Sequence, residues 1–285
     1  MKKFSIKQLE KKANEIRQDI IKMLLEAGSG HSAGPLGMAD IFTALYFHAL
    51  RHDPKKPNDP KRDRVFLSNG HICPVWYATL AHAGYLPRKE MLTTLRKLGS
   101  RLQGHPHRGS LPPILNPSGP LGQGLSQAVG YALAAQMDGN LSFETYCLMS
   151  DGEHDEGQTW EAYQFAAKNK VHNITAIIDR NSIQIDGMTE DVMPLEPFKA
   201  KIESFGWHAI EIDGHNMEEI IDACAAAKAV YEKPVAIIAH TIPGKGVDFM
   251  EFKYEWHGKP PNKDEARSAL RELRSLGGKI KGEHE

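Results

Sequence analysis

Ile6, Leu9, Ala13, Ile16 and Ile20 recur at helical spacing, so the chain opens on an amphipathic helix that closes near Gly28-Ser29-Gly30. The same periodicity predicts helices over 38–50, 74–84 and 88–98. Between them, residues 52–63 (HDPKKPNDPKRD) form a polar, proline-rich loop, and Val65-Phe66-Leu67-Ser68 is a short buried strand. From Gly99 to Gly124 glycine, proline and histidine dominate and periodicity disappears; so long a structureless stretch inside a compact fold points to function. The second half is more regular. Thr145–Met149, Ile174–Asp179, His208–Ile212 and Val235–Ala239 are short, apolar and unalternated, as strands covered on both faces are. Helical patterns near 125–137, 158–169, 196–205 and 216–231 separate them. Such alternation predicts an α/β fold, a parallel sheet with helices on both faces, and places ligands at the carboxyl ends of its strands. A charged tail begins at about 263, with a helix expected over 264–276. No internal repeat and no linker interrupts the chain, so residues 1–285 are expected to form a single domain.

Composition narrows the function little. A formal net charge of -1 gives no bulk electrostatic reason to bind nucleic acid or a membrane surface. No apolar run approaches transmembrane length, and Met1 to Glu10 lacks the basic-then-apolar order of a secretory leader. Cys73, Cys147 and Cys224 lie too far apart for a disulfide framework or a zinc pattern, so a reducing cytoplasm is expected. The 14 histidines are a generous number.

Chemistry concentrates after Ser150. The strand TYCLM runs into Ser150-Asp151-Gly152-Glu153-His154-Asp155-Glu156-Gly157, and the next strand, ITAIID, runs into Arg180-Asn181-Ser182-Ile183. Asp151 and Asn181 therefore follow the carboxyl ends of consecutive strands, and they converge if those strands are neighbours. A carboxylate and an amide oxygen are hard ligands suited to magnesium, which fills its octahedron with phosphate oxygens and water. Gly152 lets a diphosphate approach the backbone. An isolated Asp-Gly is more often a cap or a turn; the paired strand ends and the spacing of about thirty residues reverse that preference.

This pair resembles the thiamine-diphosphate binding motif, a Gly-Asp-Gly-like turn followed by Asn. Its surroundings resemble the N-terminal half of transketolase: Gly30-His31-Ser32-Ala33-Gly34-Pro35-Leu36-Gly37, Ser68-Asn69-Gly70-His71, Gly104-His105-Pro106, Gly119-Pro120-Leu121-Gly122-Gln123-Gly124 and Trp256-His257-Gly258, in the family's order. The resemblance covers roughly residues 10–270. It implies that Asp151, Asn181 and the Ile183 carbonyl bind Mg2+, and that Gly152, His71 and His257 reach the diphosphate. Gly119 and Leu121 would line the aminopyrimidine pocket and Ile185 would pack on the thiazolium. Glu156 would be the interface glutamate that couples to a partner's activating glutamate. His31, His71, His105 and His257 would ring the reacting carbon, His105 toward the donor's C1 hydroxyl and His31 and His257 in proton transfer. Neutral histidines have the basicity such proton transfer needs near pH 7. His48, His52, His82, His172, His208, His215, His240 and His284 are read as ordinary surface or core groups; His107 and His154, beside motifs, stay open. Two positions depart from the family: Ser150 stands where Gly is usual, and Arg180 where Asn is common. Arg180 could contact phosphate or a partner, or be solvated; the solvated reading is preferred.

The resemblance further implies a divided enzyme. The family's second half carries the pyrimidine-binding domain, the activating glutamate and the sugar-phosphate arginines, and only a charged tail follows Trp256-His257-Gly258-Lys259-Pro260-Pro261. A separate C-terminal subunit is expected, in an α2β2 assembly with active sites between subunits. The implied reaction moves a two-carbon ketol unit from a ketose phosphate to an aldose phosphate. The alternatives are a split enzyme for an unusual sulfo- or branched sugar, and a homologue without catalysis. Deoxyxylulose-phosphate synthase shares part of the pattern but not Gly104-His105-Pro106 or Trp256-His257-Gly258; the 2-oxoacid dehydrogenase alpha subunits lack the histidine ring.

Overall fold

The computed structural model describes residues 4–275. It opens with α1 (Ile6–Ala27), α2 (Ala33–Gly37) and α3 (Ala39–Ala44), which runs into a wider π-helical turn, Leu45–Ala49. Strand β1 (Arg64–Leu67) follows, then α4 (Cys73–His82), α5 (Arg88–Thr94) and α6 (Gly124–Met137). Next come β2 (Thr145–Ser150), α7 (Gly157–Lys168), β3 (Ile174–Arg180), and the ribbon β4 (Ile183–Gln184) and β5 (Gly187–Met188). The chain continues through α8 (Thr189–Val192), α9 (Phe198–Ser204), β6 (His208–Asp213), α10 (Met217–Lys228), β7 (Val235–His240) and α11 (Lys263–Ser275). Residue 276 of the expected terminal helix, the rest of the tail and His284 lie outside the described residues.

Five strands form one parallel sheet in the order β1-β2-β3-β7-β6. The apolar runs lack alternation because each strand feeds two cores. Leu67, Tyr146, Leu148, Ile177 and Ile237 face the core built by α1, α3, α4 and α10. Their neighbours Phe66, Cys147, Met149, Ile178 and Ile238 face the core of α6, α7 and α9. Each fully buried Ile or Leu contributes about 2 kcal/mol of transfer free energy, and burial on both faces spends every position of the strand this way. Only β6 departs from the pattern. It is one of the two edge strands, and its His208 and Glu211 are exposed and its Ile210 half-buried while Ala209 and Ile212 are buried.

Two helices differ from expectation. The pattern over 38–50 begins earlier, at Ala33, is broken at Met38 and ends as the π turn. The pattern over 88–98 stops at Thr94: Arg96 turns left-handed (φ 60), and its N–H donates to the Leu102 carbonyl at 2.9 Å. Leu95 and Leu98 have helical spacing, but Leu95 is buried and Leu98 wholly exposed. The stretch 99–124 is irregular as expected, yet it is anchored by buried Leu102, Leu111 and Ile114.

Helix α1 carries more than its apolar stripe. Arg17 is fully buried on it and forks onto Asp40 of α3, Nη1 to Oδ1 at 3.0 Å, while its Nε donates to the Leu36 carbonyl. His215 also meets Asp40, Nδ1 to Oδ2 at 2.8 Å. The Ile242 N–H donates to His215 Nε2 at 2.7 Å, so His215 carries its proton on Nδ1. This network ties the first helices to the segment that leaves β7.

Candidate active site

The site is built where β2 and β3 end. Register pairs Ser150 with Asp179, and the Asp151 N–H donates to the Asp179 carbonyl at 3.1 Å. Asp151 is fully buried. Its Oδ1 accepts from the Gly152 N–H (2.8 Å), and its Oδ2 from the Ser182 N–H (2.8 Å) and Arg180 Nη1 (2.9 Å). Burial raises this carboxyl above its ordinary value, and Arg180 pulls against that rise. The Asn181 amide is oriented from both ends: Nδ2 donates to Asp179 Oδ2 at 2.8 Å, and Oδ1 accepts the Ile183 N–H at 3.0 Å. Between them Ser182 is left-handed (φ 61), which folds the chain back so that Ile183 rejoins the same wall.

The opposite wall is made of histidines. Ring centroids of His31 and His71 lie 5.0 Å apart, His71 and His257 5.0 Å, and His31 and His257 5.6 Å. They come from three segments: the turn after α1, the turn after β1, and the strap after β7. Ser32 holds the first to the last, its hydroxyl donating to the Lys259 carbonyl at 2.6 Å. His105 enters from the irregular stretch and lies against Gly119, where a Cβ would sit 3.0 Å from its ring. Gly119 adopts φ +127, so both space and conformation require glycine. A Cβ on Gly70 would stand 2.7 Å from the Gly119 nitrogen, and one on Gly124 2.4 Å from the Ser68 side chain. The turn after β1 and the loop into α6 are thus stacked backbone on backbone, and the Gly124 N–H donates to Ser68 Oγ at 3.1 Å.

These walls enclose a cavity of about 460 Å³. His31, His71, His105, Gly119, Leu121, Asp151, Gly152, Asn181, Ile183, Ile185 and His257 all line it. Glu156 does not: it is exposed, beside the loop at Gly122, where a Cβ would meet its own Cβ at 2.8 Å. Leu121 and Ile185 are large apolar side chains 38% and 67% exposed, an apolar rim open to solvent in the isolated chain. Burial lowers His31 to about 4, His71 well below its ordinary value, and His105 and His257 below theirs. All four are neutral at pH 7. His31 Nδ1 and His257 Nδ1 are buried with no hydrogen-bond partner among the described residues.

Arg180 corrects the expectation of a solvated side chain. It is 5% exposed, because its strand end is covered by the segment leading to α9, and it joins Asp151 to Glu190 (2.6 Å) and Glu196 (3.1 Å). His154 is structural: buried, bonded to the Ser150 carbonyl and the Tyr163 hydroxyl, and lowered to about 4 by burial. His107 is exposed and its ring meets the Arg108 carbonyl. Two acids beside the site carried no motif of their own. Burial pushes Asp179, which holds Asn181 and Thr241, up to about 7, and Glu153 up to about 8.

A parallel sheet, a hard-oxygen corner at two strand ends and an apolar-rimmed cavity define a thiamine-diphosphate binding domain. Residues 9–277 match the model of the thiamine diphosphate binding domain of transketolase, and the chain belongs to that family. The 6-deoxy-6-sulfo-D-fructose transketolase subunit of a Clostridium species is 42% identical over 94% of this chain and 97% of its own. An apulose-4-phosphate transketolase subunit from Phocaeicola vulgatus is 40% identical over 94% of each. The transketolase structure from Leishmania mexicana superposes with a TM-score of 0.88 at 32% identity, over 96% of this chain but 42% of that one. The cofactors that go with this domain are thiamine diphosphate and a divalent metal, magnesium. The cavity suits them. Asp151 and Asn181 line it together, and a carboxylate with an amide oxygen is a hard donor set of the kind magnesium takes when phosphate and water supply the rest. The unpartnered His31 and His257 nitrogens await polar atoms.

Proposed function

We propose that this chain is the diphosphate- and magnesium-binding subunit of a two-chain transketolase. The observation that carries this reading is the cavity itself, with a hard-oxygen corner on one wall and three mutually adjacent histidines on the other. Asp151, Asn181 and the Ile183 carbonyl would hold magnesium. Gly152, His71 and His257 would meet the diphosphate, Gly119 and Leu121 the aminopyrimidine, and Ile185 the thiazolium. Thiamine diphosphate, when bound, supplies an electron sink for the charge left as a carbon–carbon bond beside a carbonyl breaks. The chain's own residues handle protons and orientation. His31 and His257 are neutral, so each can accept the proton of a substrate hydroxyl. His105, which also lines the cavity, would hold the donor's C1 hydroxyl. Replacing it with alanine should spare cofactor affinity and cut turnover by about 10²-fold or more; a calorimetric titration beside a turnover assay separates the two, and a loss of cofactor affinity would reassign the residue.

The substrate pair is read as a ketose phosphate donor and an aldose phosphate acceptor. The second reading, an unusual sulfo- or branched sugar, is favoured by the two relatives named for such sugars. Those relatives are named as subunits and this chain spans nearly their whole length, which supports a separate partner subunit; an α2β2 assembly with two-fold symmetry is the arrangement proposed for the pair. Glu156, exposed and outside the cavity, suits the role of an interface glutamate, and the open apolar rim of Leu121 and Ile185 suits cover by a partner. Purified alone, the chain should bind thiamine diphosphate weakly and transfer no ketol group. Mixed with a C-terminal subunit, it should transfer the ketol group from xylulose 5-phosphate or from a sulfo- or branched ketose. Full transfer without a partner would overturn the two-chain reading.

A further inference from the structure

An arginine against a metal corner is unexpected on charge alone, because a guanidinium repels the divalent ion that the corner suits. Arg180 is nonetheless fixed there. It ends β3 on the face turned to α9, its side chain is almost wholly buried, and its Cζ lies 5.8 Å from the centre of the Phe198 ring. Nη2 donates to Glu190 at 2.6 Å and to Glu196 at 3.1 Å, and both of those carboxylates reach solvent. Nη1 donates to Asp151 Oδ2 at 2.9 Å. One cation among three carboxylates leaves the cluster anionic, so it still attracts a divalent ion.

The consequence falls on the Asp151 carboxylate. A carboxylate has about four acceptor positions, two on each oxygen. On Oδ2 both are filled, by Arg180 Nη1 and by the Ser182 N–H at 2.8 Å, and the Thr189 hydroxyl stands 3.4 Å from the same atom. On Oδ1 one is filled, by the Gly152 N–H at 2.8 Å. A single position is left, on Oδ1. Asn181 is equally restricted: its amide is fixed at both ends, and its Oδ1 already accepts from the Ile183 N–H. The corner therefore offers single oxygens in fixed places.

We propose that Arg180 is a specificity-determining residue for the metal: by occupying Asp151 Oδ2 it keeps that carboxylate a one-oxygen ligand and so favours Mg2+ over Ca2+. Magnesium demands a tight octahedron and takes few protein oxygens, whereas calcium takes roughly six to eight and gains from carboxylates that bind through both oxygens. Arg180 stands where the family commonly has Asn, so the effect belongs to this chain and not to the metal motif. The inference rests on the magnesium–diphosphate reading of the cavity, and its test is a binding measurement in which failure of that reading has its own signature.

The full chain is titrated calorimetrically with magnesium chloride or calcium chloride, each in excess thiamine diphosphate at fixed ionic strength. The wild-type chain should bind magnesium at least about ten-fold more tightly than calcium, the worth of roughly one charge-assisted hydrogen bond. Arg180→Met keeps an unbranched stem against Phe198 and removes every donor, which frees an acceptor position on Asp151 Oδ2. Whatever it does to both affinities together, the preference for magnesium should fall about ten-fold. A purely structural role would change both affinities alike, so an unchanged ratio in Arg180→Met would overturn the inference. Equal affinities in the wild type would overturn it too, a result that needs no variant to fold. If neither metal promotes cofactor binding in the wild type, the proposed function fails and the inference with it.

Discussion

Asp151→Ala is expected to abolish magnesium-dependent binding of thiamine diphosphate while leaving the chain folded. Losing an outer-shell partner of a metal ligand typically costs roughly 10–100-fold in affinity, so losing the carboxylate itself should cost more than about 100-fold. The local structure explains why folding should survive. Asp151 is a buried acid whose carboxyl is raised by burial, so its ionised form is costly to the apo chain. Removing it takes one acceptor from Arg180 but leaves Glu190 and Glu196, both of which reach solvent. The cation therefore keeps partners. Calorimetric titration with magnesium, and again with chelator, measures the first effect, and thermal unfolding of the apo chain checks the second. Unchanged cofactor affinity in the variant would remove Asp151 from the metal corner.

That corner was legible in the sequence because strand ends are. Two unalternated apolar runs followed by polar residues give both the strands and the points where they stop, and parallel pairing then brings Asp151 and Asn181 together. The convergence of His31, His71 and His257 was not readable from spacing. It depends on three loops from distant parts of the chain meeting above the sheet, and only the resemblance to a family anticipated it. Arg180 was misjudged for a related reason: arginine after a strand is usually solvated, and what covers this one is the segment from α8 to α9, whose path no local pattern reveals. The early end of α5 has the same origin. Leucines at helical spacing describe what a segment could bury, while the pull of Leu102 on the Arg96 N–H decides what it does.

The largest effect on stability is expected from Asp40→Ala. Arg17 is fully buried, and Asp40 is its carboxylate partner and that of His215 as well. Removing one member of a buried pair strands the other, at a cost of roughly 3–5 kcal/mol, which should lower the unfolding midpoint by roughly ten degrees. Burial alone would raise the Asp40 carboxyl, but Arg17 and His215 outweigh it and hold the folded value at about 2, below the ordinary 3.8. A depressed carboxyl contributes stability that is complete above its unfolded value and fades as pH falls through the folded one. The wild-type chain should therefore lose this contribution between about 3.8 and about 2, a step that Asp40→Ala should lack in acid unfolding curves. The control is the double variant Arg17→Met with Asp40→Leu. Apolar replacement of a whole buried pair is often neutral, so the double variant should recover much of the lost stability. It would not recover the acceptor for His215 Nδ1–H, whose Nε2 receives the Ile242 N–H at the root of the strap that carries His257. Restored stability with weakened cofactor affinity would then show that the network positions the strap, whereas recovery of both would mean that its work ends at the fold.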